Sequence, residues 1–184
     1  MRADAQRNHE RLVAVARAAF TIGGTVTLEE VARAAGVGIG TLYRHFPTRE
    51  ALVEAVYAAE LDGVTTAAPA LLAHLPADRA LRTWMGRYAA FAAVKRGLVD
   101  TLRAGSASGH VSTPAARGRI TAAIAAILEA GAHDGSLRTG VEADDVTTML
   151  VGIFLSVAAA GQTPEQVGRL LDLLVDALRP TTHR

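Results

Sequence analysis

A short polar segment around residue 40 carries the side chains best suited to chemistry in this sequence. It combines hydroxyl, phenol, guanidinium and imidazole groups within less than two helical turns. Such donors bind phosphate oxygens and the edges of bases in the major groove of DNA. The segment therefore predicts a surface that contacts nucleic acid, and its exposed residues are Ile39, Gly40, Thr41, Tyr43, Arg44 and His45.

Two short helices joined by a tight turn must present this surface. Thr27 and Glu30 have the spacing of a capping box, which starts the first helix. Gly36 ends that helix, because glycine adopts positive φ without strain from a β-carbon. Leu42 and Phe46 are spaced to pack the second helix against the rest of the motif. The pattern is that of a helix-turn-helix.

The same stretch resembles the TetR family of bacterial transcriptional regulators. The resemblance runs from about Arg11 through Tyr57 and includes VTLEEVARAAGVGIGTLYRHFPTREALVEAV. Its most specific part is Ala-Gly-Val-x-x-Gly-Thr-Leu-Tyr-x-His-Phe, followed by Arg-Glu-Ala-Leu at residues 49–52. It implies a one-component regulator that binds a palindromic DNA operator as a homodimer and releases it when a small-molecule effector binds.

The resemblance also implies roles for individual residues. At the matching positions of such regulators, Thr41 and His45 contact DNA phosphates, and Tyr43 contacts a phosphate or a thymine methyl group. Arg49 stands where a basic residue reaches the DNA backbone from the start of the next helix. Thr27 caps the first helix of the motif beside another phosphate.

Four neighbouring positions complete the predicted DNA-binding set. Ile39 and Arg44 occupy variable positions at which sequence preference is usually determined. Ile39 is suited to a thymine methyl, whereas Arg44 is suited either to a guanine edge or to a phosphate. Gly40 allows a close approach to the DNA backbone. Gly38 replaces the Ser or Thr that often caps this helix, so we expect a slightly frayed end and one phosphate contact fewer.

The composition favours an all-α protein. The chain has 184 residues, 50% of them hydrophobic and only 4% aromatic. Alanine, the strongest helix former, is abundant, and no stretch alternates like a strand. We expect about nine helices: a three-helix helix-turn-helix domain with its connecting helix over residues 1–62, and a C-terminal helical bundle over residues 63–184. Residues 63–69 are predicted to be a linker or irregular turn, and Gly97 is predicted to interrupt a helix.

The last two predicted helices favour dimerisation. The final helix carries a leucine and valine stripe from Val167 to Leu178 that is wider than one chain's core requires. The preceding helix combines Met149, Ile153 and other apolar residues with small residues that permit close packing. Two such helices from each of two chains would form a four-helix bundle. The alternative is that both stripes serve only the core of a single chain.

An effector pocket is predicted from the distribution of aromatic residues. Three of the eight aromatic side chains fall within one short helical stretch. Helical spacing also allows each of them to be an ordinary core residue, but as a group they can line an apolar cavity. The candidate ligand-binding residues are Trp84, Met85, Tyr88, Phe91, Arg103, His110 and Phe154.

Other classes of protein find little support. The net charge is only +1, with +2 in residues 1–50 and −1 in the remainder, so the first segment is the better candidate for a nucleic-acid contact. The chain has no cysteine, its histidines lack metal-clamping spacing, and no catalytic pair or cofactor motif is complete. We therefore expect no enzyme, no metal and no cofactor. No apolar stretch is long enough to span a bilayer and the N-terminus is polar, which predicts a cytoplasmic protein.

Two alternatives to a repressor remain open. The first alternative is a transcriptional activator of the same type. The second is a helical interaction module whose helix-turn-helix no longer binds DNA. The residues themselves do not identify the effector, the operator or the target genes.

Overall fold

The protein is helical throughout the residues that its computed structural model describes, which are 2–22, 26–103, 114–160 and 163–180. These residues contain nine helices and no β-strand, which confirms the all-α prediction. In chain order the helices are α1 (Arg2–Ile22), α2 (Leu28–Ala34), α3 (Ile39–His45), α4 (Arg49–Thr65), α5 (Ala67–Leu72), α6 (Ala77–Arg103), α7 (Pro114–Asp134), α8 (Ala143–Ala160) and α9 (Pro164–Leu178). Within those ranges, no helix has both the length and the apolar character needed to cross a membrane.

The chain forms two compact units. The first unit comprises Met1–Leu61 with Phe91–Ser112, and the second comprises Asp62–Ala90 with Thr113–Arg184. Helices α4 and α6 each contribute residues to both units. The boundary drawn after residue 62 from the sequence stays a prediction.

Helix α1 supplies one wall of the first unit's core. Leu12, Ala16 and Phe20 repeat at every fourth residue, and all three are buried. This is the apolar stripe that the sequence predicts for an amphipathic helix. The buried side of α4, which includes Leu52 and Val56, belongs to the same core.

Helix α1 begins earlier than its apolar stripe predicts. The sequence pattern starts at His9, whereas the helix starts at Arg2. Residues 4–7 of this helix are exposed, but they include good helix formers and side chains that pair along the helix surface. Gln6 donates a hydrogen bond to Glu10 over 2.7 Å, and Arg7 pairs with Asp4.

Residues 63–69 are not the irregular linker that the sequence predicts. Helix α4 continues to Thr65, and α5 follows after one residue. The hydroxyl of Thr66 donates to the Asp62 carbonyl over 2.7 Å at the junction. Pro69 is tolerated because it is the third residue of α5, where a main-chain N–H has no acceptor within the helix.

Helix α6 runs without a break through Gly97, so the predicted interruption there is wrong. The glycine serves tertiary packing instead, since the main chain of α1 lies where a side chain would be. Local pattern cannot distinguish a glycine that ends a helix from one that admits a neighbouring helix.

Trp84 belongs to the buried core of the second unit. Its side chain is fully buried, and the indole N–H donates to the Val64 carbonyl over 2.8 Å. Helices α7 and α8 bury Ile124, Ile127 and Leu150 in the same unit. The buried polar atom of the tryptophan is therefore satisfied within the chain, as burial of an indole requires.

Candidate nucleic-acid interface

The first helix of the motif begins with the predicted capping box. The main-chain N–H of Glu30 donates to the Thr27 hydroxyl over 3.2 Å, and the N–H of Thr27 donates to the Glu30 carboxylate over 2.9 Å. Hydrogen bonds from the main chain and the hydroxyl of Thr27 lower the pKa of the Glu30 carboxyl below its ordinary value. Thr27 is exposed, and its hydroxyl is engaged by this cap.

The turn between α2 and α3 depends on Gly36, which has a φ of +67°. The N–H of Val37 donates to the Ala32 carbonyl over 3.0 Å, and the N–H of Gly36 donates to the Arg33 carbonyl over 3.1 Å. These two bonds form a Schellman motif, which satisfies the last carbonyls of α2. The left-handed backbone conformation at its centre explains the glycine.

One side of helix α3 is buried, and the opposite side is exposed to solvent. Leu42 is fully buried, and Phe46, just past the helix, is 2% exposed. On the opposite side Ile39 is 39% exposed and Tyr43 is 45% exposed. Ile39 and Tyr43 are one helical turn apart, so both large side chains are exposed on the same side of α3.

The first turn of α3 carries two glycines that the fold does not require. Gly38 is the N-cap, with an ordinary φ of −68° and no side-chain cap hydrogen bond, as its departure from the family pattern leads one to expect. A β-carbon added at Gly38 or at Gly40 would meet nothing within 4 Å. Neither glycine therefore makes room for a neighbouring part of the chain, and the space beside both is open.

Two polar side chains of α3 are linked to each other. The Nε of Arg44 donates to the Gly40 carbonyl over 3.1 Å, and its Nη2 donates to the Thr41 hydroxyl over 3.3 Å. Arg44 is exposed, and Thr41 is half-buried. The guanidinium thus lies back along its own helix, beside the hydroxyl of Thr41.

His45 packs against aromatic rings at the end of α3. Its ring centroid lies 5.9 Å from that of His9 on α1 and 6.2 Å from that of Phe46. His9 in turn lies 4.8 Å from Phe46. His9 lies three residues before Leu12 on the buried stripe of α1, but its contact with α3 joins residues that are far apart in the sequence and could not be predicted from local spacing.

Arg49 begins α4 beside its capping residue. The Thr48 hydroxyl accepts a hydrogen bond from the N–H of Ala51 over 3.2 Å. Arg49 itself is half-buried, and its Nε is buried without a hydrogen-bond partner among the described residues. An unpaired buried donor is uncommon in folded proteins and calls for an explanation.

The candidate effector residues are divided between the two units. Trp84 and Met85 are fully buried, and Tyr88 stacks on Trp84 with centroids 5.7 Å apart and contacts Phe154 at 5.5 Å. These four residues belong to the second unit.

The other three candidate effector residues are placed differently. Phe91 belongs to the first unit, where its ring lies 5.6 Å from Tyr57. Arg103 ends α6, and its side chain lies outside the described residues, as does the whole of His110.

A groove of about 400 Å³ in the second unit is lined by none of these aromatic residues. Its charged lining comprises Asp78, Arg79, Arg82, Asp172, Asp176 and Arg179. Arg82 pairs with Asp172, and Arg179 pairs with Asp78 and Asp176. Among the described residues, no group of three or more acidic or histidine side chains is arranged to hold a metal ion.

Two family models match this chain. The model "Bacterial regulatory proteins, tetR family" matches residues 12–56, which include the whole helix-turn-helix. The model "Transcriptional regulator SbtR-like, C-terminal domain" matches residues 76–180, more than half of the chain.

Solved structures match along nearly the whole length. A TetR transcriptional regulator of Streptomyces coelicolor is 41% identical, with a TM-score of 0.81 over 95% of this chain and 99% of the other. A TetR transcription regulatory protein of Mycobacterium vanbaalenii is 34% identical, with a TM-score of 0.78 over 97% and 99% of the two chains.

Curated relatives match more narrowly. An HTH-type transcriptional regulator of Staphylococcus aureus is 36% identical over 64 residues, which span 34% of this chain and only 35% of the relative.

The fold, the helix-turn-helix and both family models agree on the same kind of protein, a DNA-binding regulator of transcription that is not an enzyme. The chain belongs to the TetR family of bacterial transcriptional regulators.

Proposed function

We propose that the protein is a repressor that binds a palindromic operator as a homodimer and leaves it when a small molecule binds. The observation that carries this proposal is the solvent-exposed side of α3. Exposed Ile39 and Tyr43 flank open space at Gly40, which suits insertion into a major groove. As a regulator that acts on DNA, it would work in the cytoplasm.

The DNA backbone would be held around this helix. Thr41, Tyr43 and His45 are proposed to contact phosphates from α3, and Thr27 from the start of α2. Arg49 is proposed to reach a phosphate from the start of α4 through the terminal nitrogens of its guanidinium, because the residue is only half-buried although its Nε is buried. Charge-assisted hydrogen bonds to phosphate are among the strong ones, so such a donor gains much from DNA.

Exposed apolar side chains on α8 and α9 support the homodimer. Leu155 on α8 is 66% exposed, Leu173 on α9 is 65% exposed, and Met149 on α8 is 51% exposed. We propose that these helices pair with their counterparts in a second copy. Two-fold symmetry would then place two recognition helices on successive major grooves, about 34–36 Å apart.

The effector is proposed to act through the helical bundle near Trp84 and Tyr88. A ligand weakens DNA binding only if it binds more tightly to a conformation whose recognition helices do not match the operator. The aromatic, largely apolar environment favours an apolar or amphipathic small molecule.

Random-site selection on the purified protein tests the proposal. We expect enrichment of one palindromic sequence, bound with an affinity that falls steeply as salt rises. The selected site should also occur in a promoter near the gene, where a reporter assay separates a repressor from an activator. Absence of any salt-dependent DNA binding would leave the interaction module as the better description.

A further inference from the structure

Arg44 and Thr41 form one polar unit on the outer side of α3. The guanidinium makes two hydrogen bonds within its own helix, to the Gly40 carbonyl at 3.1 Å and to the Thr41 hydroxyl at 3.3 Å. A guanidinium has five N–H donors, so three remain for another molecule. A side chain held in this way does not extend from the helix toward a base edge.

The bond to Thr41 also orients its hydroxyl. A threonine hydroxyl has one donor hydrogen and two acceptor lone pairs. Because the Oγ1 accepts from Arg44, its hydrogen is free to point elsewhere. Because the Arg44 Nη2 and the Thr41 Oγ1 are 3.3 Å apart, the donors that remain on these two groups are close enough to serve adjacent oxygens of one phosphate group.

The surface left for base contacts is apolar. Gly38 and Gly40 have no side chains and open space beside them, so Ile39 is the large exposed side chain on the first turn of α3. An aliphatic side chain reads the methyl group of thymine, whereas a guanine edge is read by an extended Arg or Lys.

From this geometry we propose that Arg44 binds the same backbone phosphate as Thr41 instead of a base, and that Ile39 is the main base-reading residue of the first turn of α3. The inference rests on the proposed DNA-binding function. Of the two roles open to Arg44, it assigns the phosphate contact, and it predicts a thymine opposite Ile39 in each half-site.

Fluorescence anisotropy tests the proposal with the selected operator and a panel of single base-pair substitutions, each titrated at several salt concentrations. Arg44→Ala should weaken binding to every sequence by the same factor. It should also reduce the slope of log affinity against log salt by about two, because the homodimer loses one phosphate contact in each half-site. Ile39→Ala should instead flatten the preference at one base pair and leave the salt slope unchanged.

A double-mutant cycle tests whether Arg44 and Thr41 act together. If they share one phosphate, the loss for Thr41→Ala with Arg44→Ala should be clearly smaller than the product of the two single losses. Arg87→Ala, at an exposed position of α6, serves as the control for removing one positive charge. Circular dichroism of each variant confirms that the helices are intact.

Two results would overturn the inference. One is a selective loss of preference at a G·C pair in Arg44→Ala, and the other is independent, multiplicative effects in the double-mutant cycle. Both require that the unmodified protein binds DNA. Its failure to bind any sequence would instead overturn the proposed function itself.

Discussion

Gly97 on α6 lies directly against the main-chain carbonyl of Phe20 on α1. A β-carbon at residue 97 would be 2.6 Å from that oxygen, well inside van der Waals contact. Main-chain atoms cannot rotate aside as a flexible side chain can, so one of the two helices would have to shift. The approach of α6 to α1 within the first unit is therefore possible only with glycine at this position.

Gly97→Ala should destabilise the protein although alanine is the better helix former. Overpacking costs about 1–3 kcal/mol, while the gain in helix propensity is up to about 1 kcal/mol. Gly86→Ala is the matched control, because residue 86 lies in the same helix and an added β-carbon meets nothing within 4 Å. Urea unfolding should show a loss for the first variant and a gain for the second. Equal gains for both would contradict the close contact.

Thr27→Ala should remove the capping box of α2 and lower the free energy of unfolding by about 0.5–2 kcal/mol. The effect should depend on pH through Glu30, whose pKa is held below its ordinary value of 4.5. Its stabilising contribution is complete above pH 4.5 and is lost as the pH falls through the lowered pKa. Thermal unfolding of both proteins from pH 7 to pH 3 should show their difference in stability shrink at the acidic end. A difference that is constant over this range would argue against the Glu30 carboxylate as the partner of Thr27.

Gly40→Ala should raise the stability of the protein and weaken its binding to DNA. In the free protein the new methyl group meets nothing, so the stability of α3 should rise by up to about 1 kcal/mol. If DNA approaches the first turn of α3 closely, the same methyl group should weaken binding to every sequence. Melting temperature and operator affinity should then change in opposite directions, whereas Gly86→Ala should change only the melting temperature. Unchanged affinity in Gly40→Ala would show that DNA does not approach this turn.

Arg49→Met should weaken DNA binding without harming the fold. Methionine keeps the apolar stem but removes the buried Nε that lacks a partner, so the free energy of unfolding should stay level or rise slightly. Loss of one charged hydrogen bond of about 1.5–3 kcal/mol in each half-site corresponds to roughly 10²- to 10⁴-fold weaker binding of the dimer on all sequences. Anisotropy titrations measure this, with Arg87→Met as the control. A marked loss of stability would mean that the guanidinium is held by a partner within the protein.

Leu173→Asp should convert the proposed dimer into monomers. The side chain is 65% exposed in a single chain, so a carboxylate there costs a monomer little but would be buried without a partner in an interface. Analytical ultracentrifugation should show half the mass, and operator affinity should fall sharply because only one half-site is bound at a time. Ala126→Asp, at an exposed position of α7, is the control. A variant that remains dimeric would place the interface elsewhere.

The helix-turn-helix could be predicted from the sequence because its determinants are local. The capping box of Thr27 and Glu30 and the left-handed turn at Gly36 each depend on residues within one or two turns. The continuity of α6 at Gly97 could not be predicted, because its reason lies 77 positions away at Phe20. Helix α5 was missed for a related reason, since buried Ala67 and Ala68 look like linker residues when only their composition is considered.

The candidate site likewise has features that depend on local sequence and features that depend on the three-dimensional structure. The residue types of α3 predict which side chains can meet DNA, but the hydrogen bonds of Arg44 and the unpaired Nε of Arg49 depend on where each side chain lies in space. The apolar stripes of the sequence predict that α8 and α9 pair with a second copy, but they do not single out Leu155 and Leu173, because the exposure of these side chains depends on how the rest of the chain packs.

The path of α6 also limits how the protein can be dissected. Phe91 contacts Tyr57, and Gly97 contacts Phe20, so the core around the helix-turn-helix is completed by a segment that follows it by some 30 residues. A truncated chain that stops after α4 would leave that side of the core open to water. An isolated DNA-reading fragment would therefore have to carry the later segment with it, either by circular permutation or as a separately added peptide.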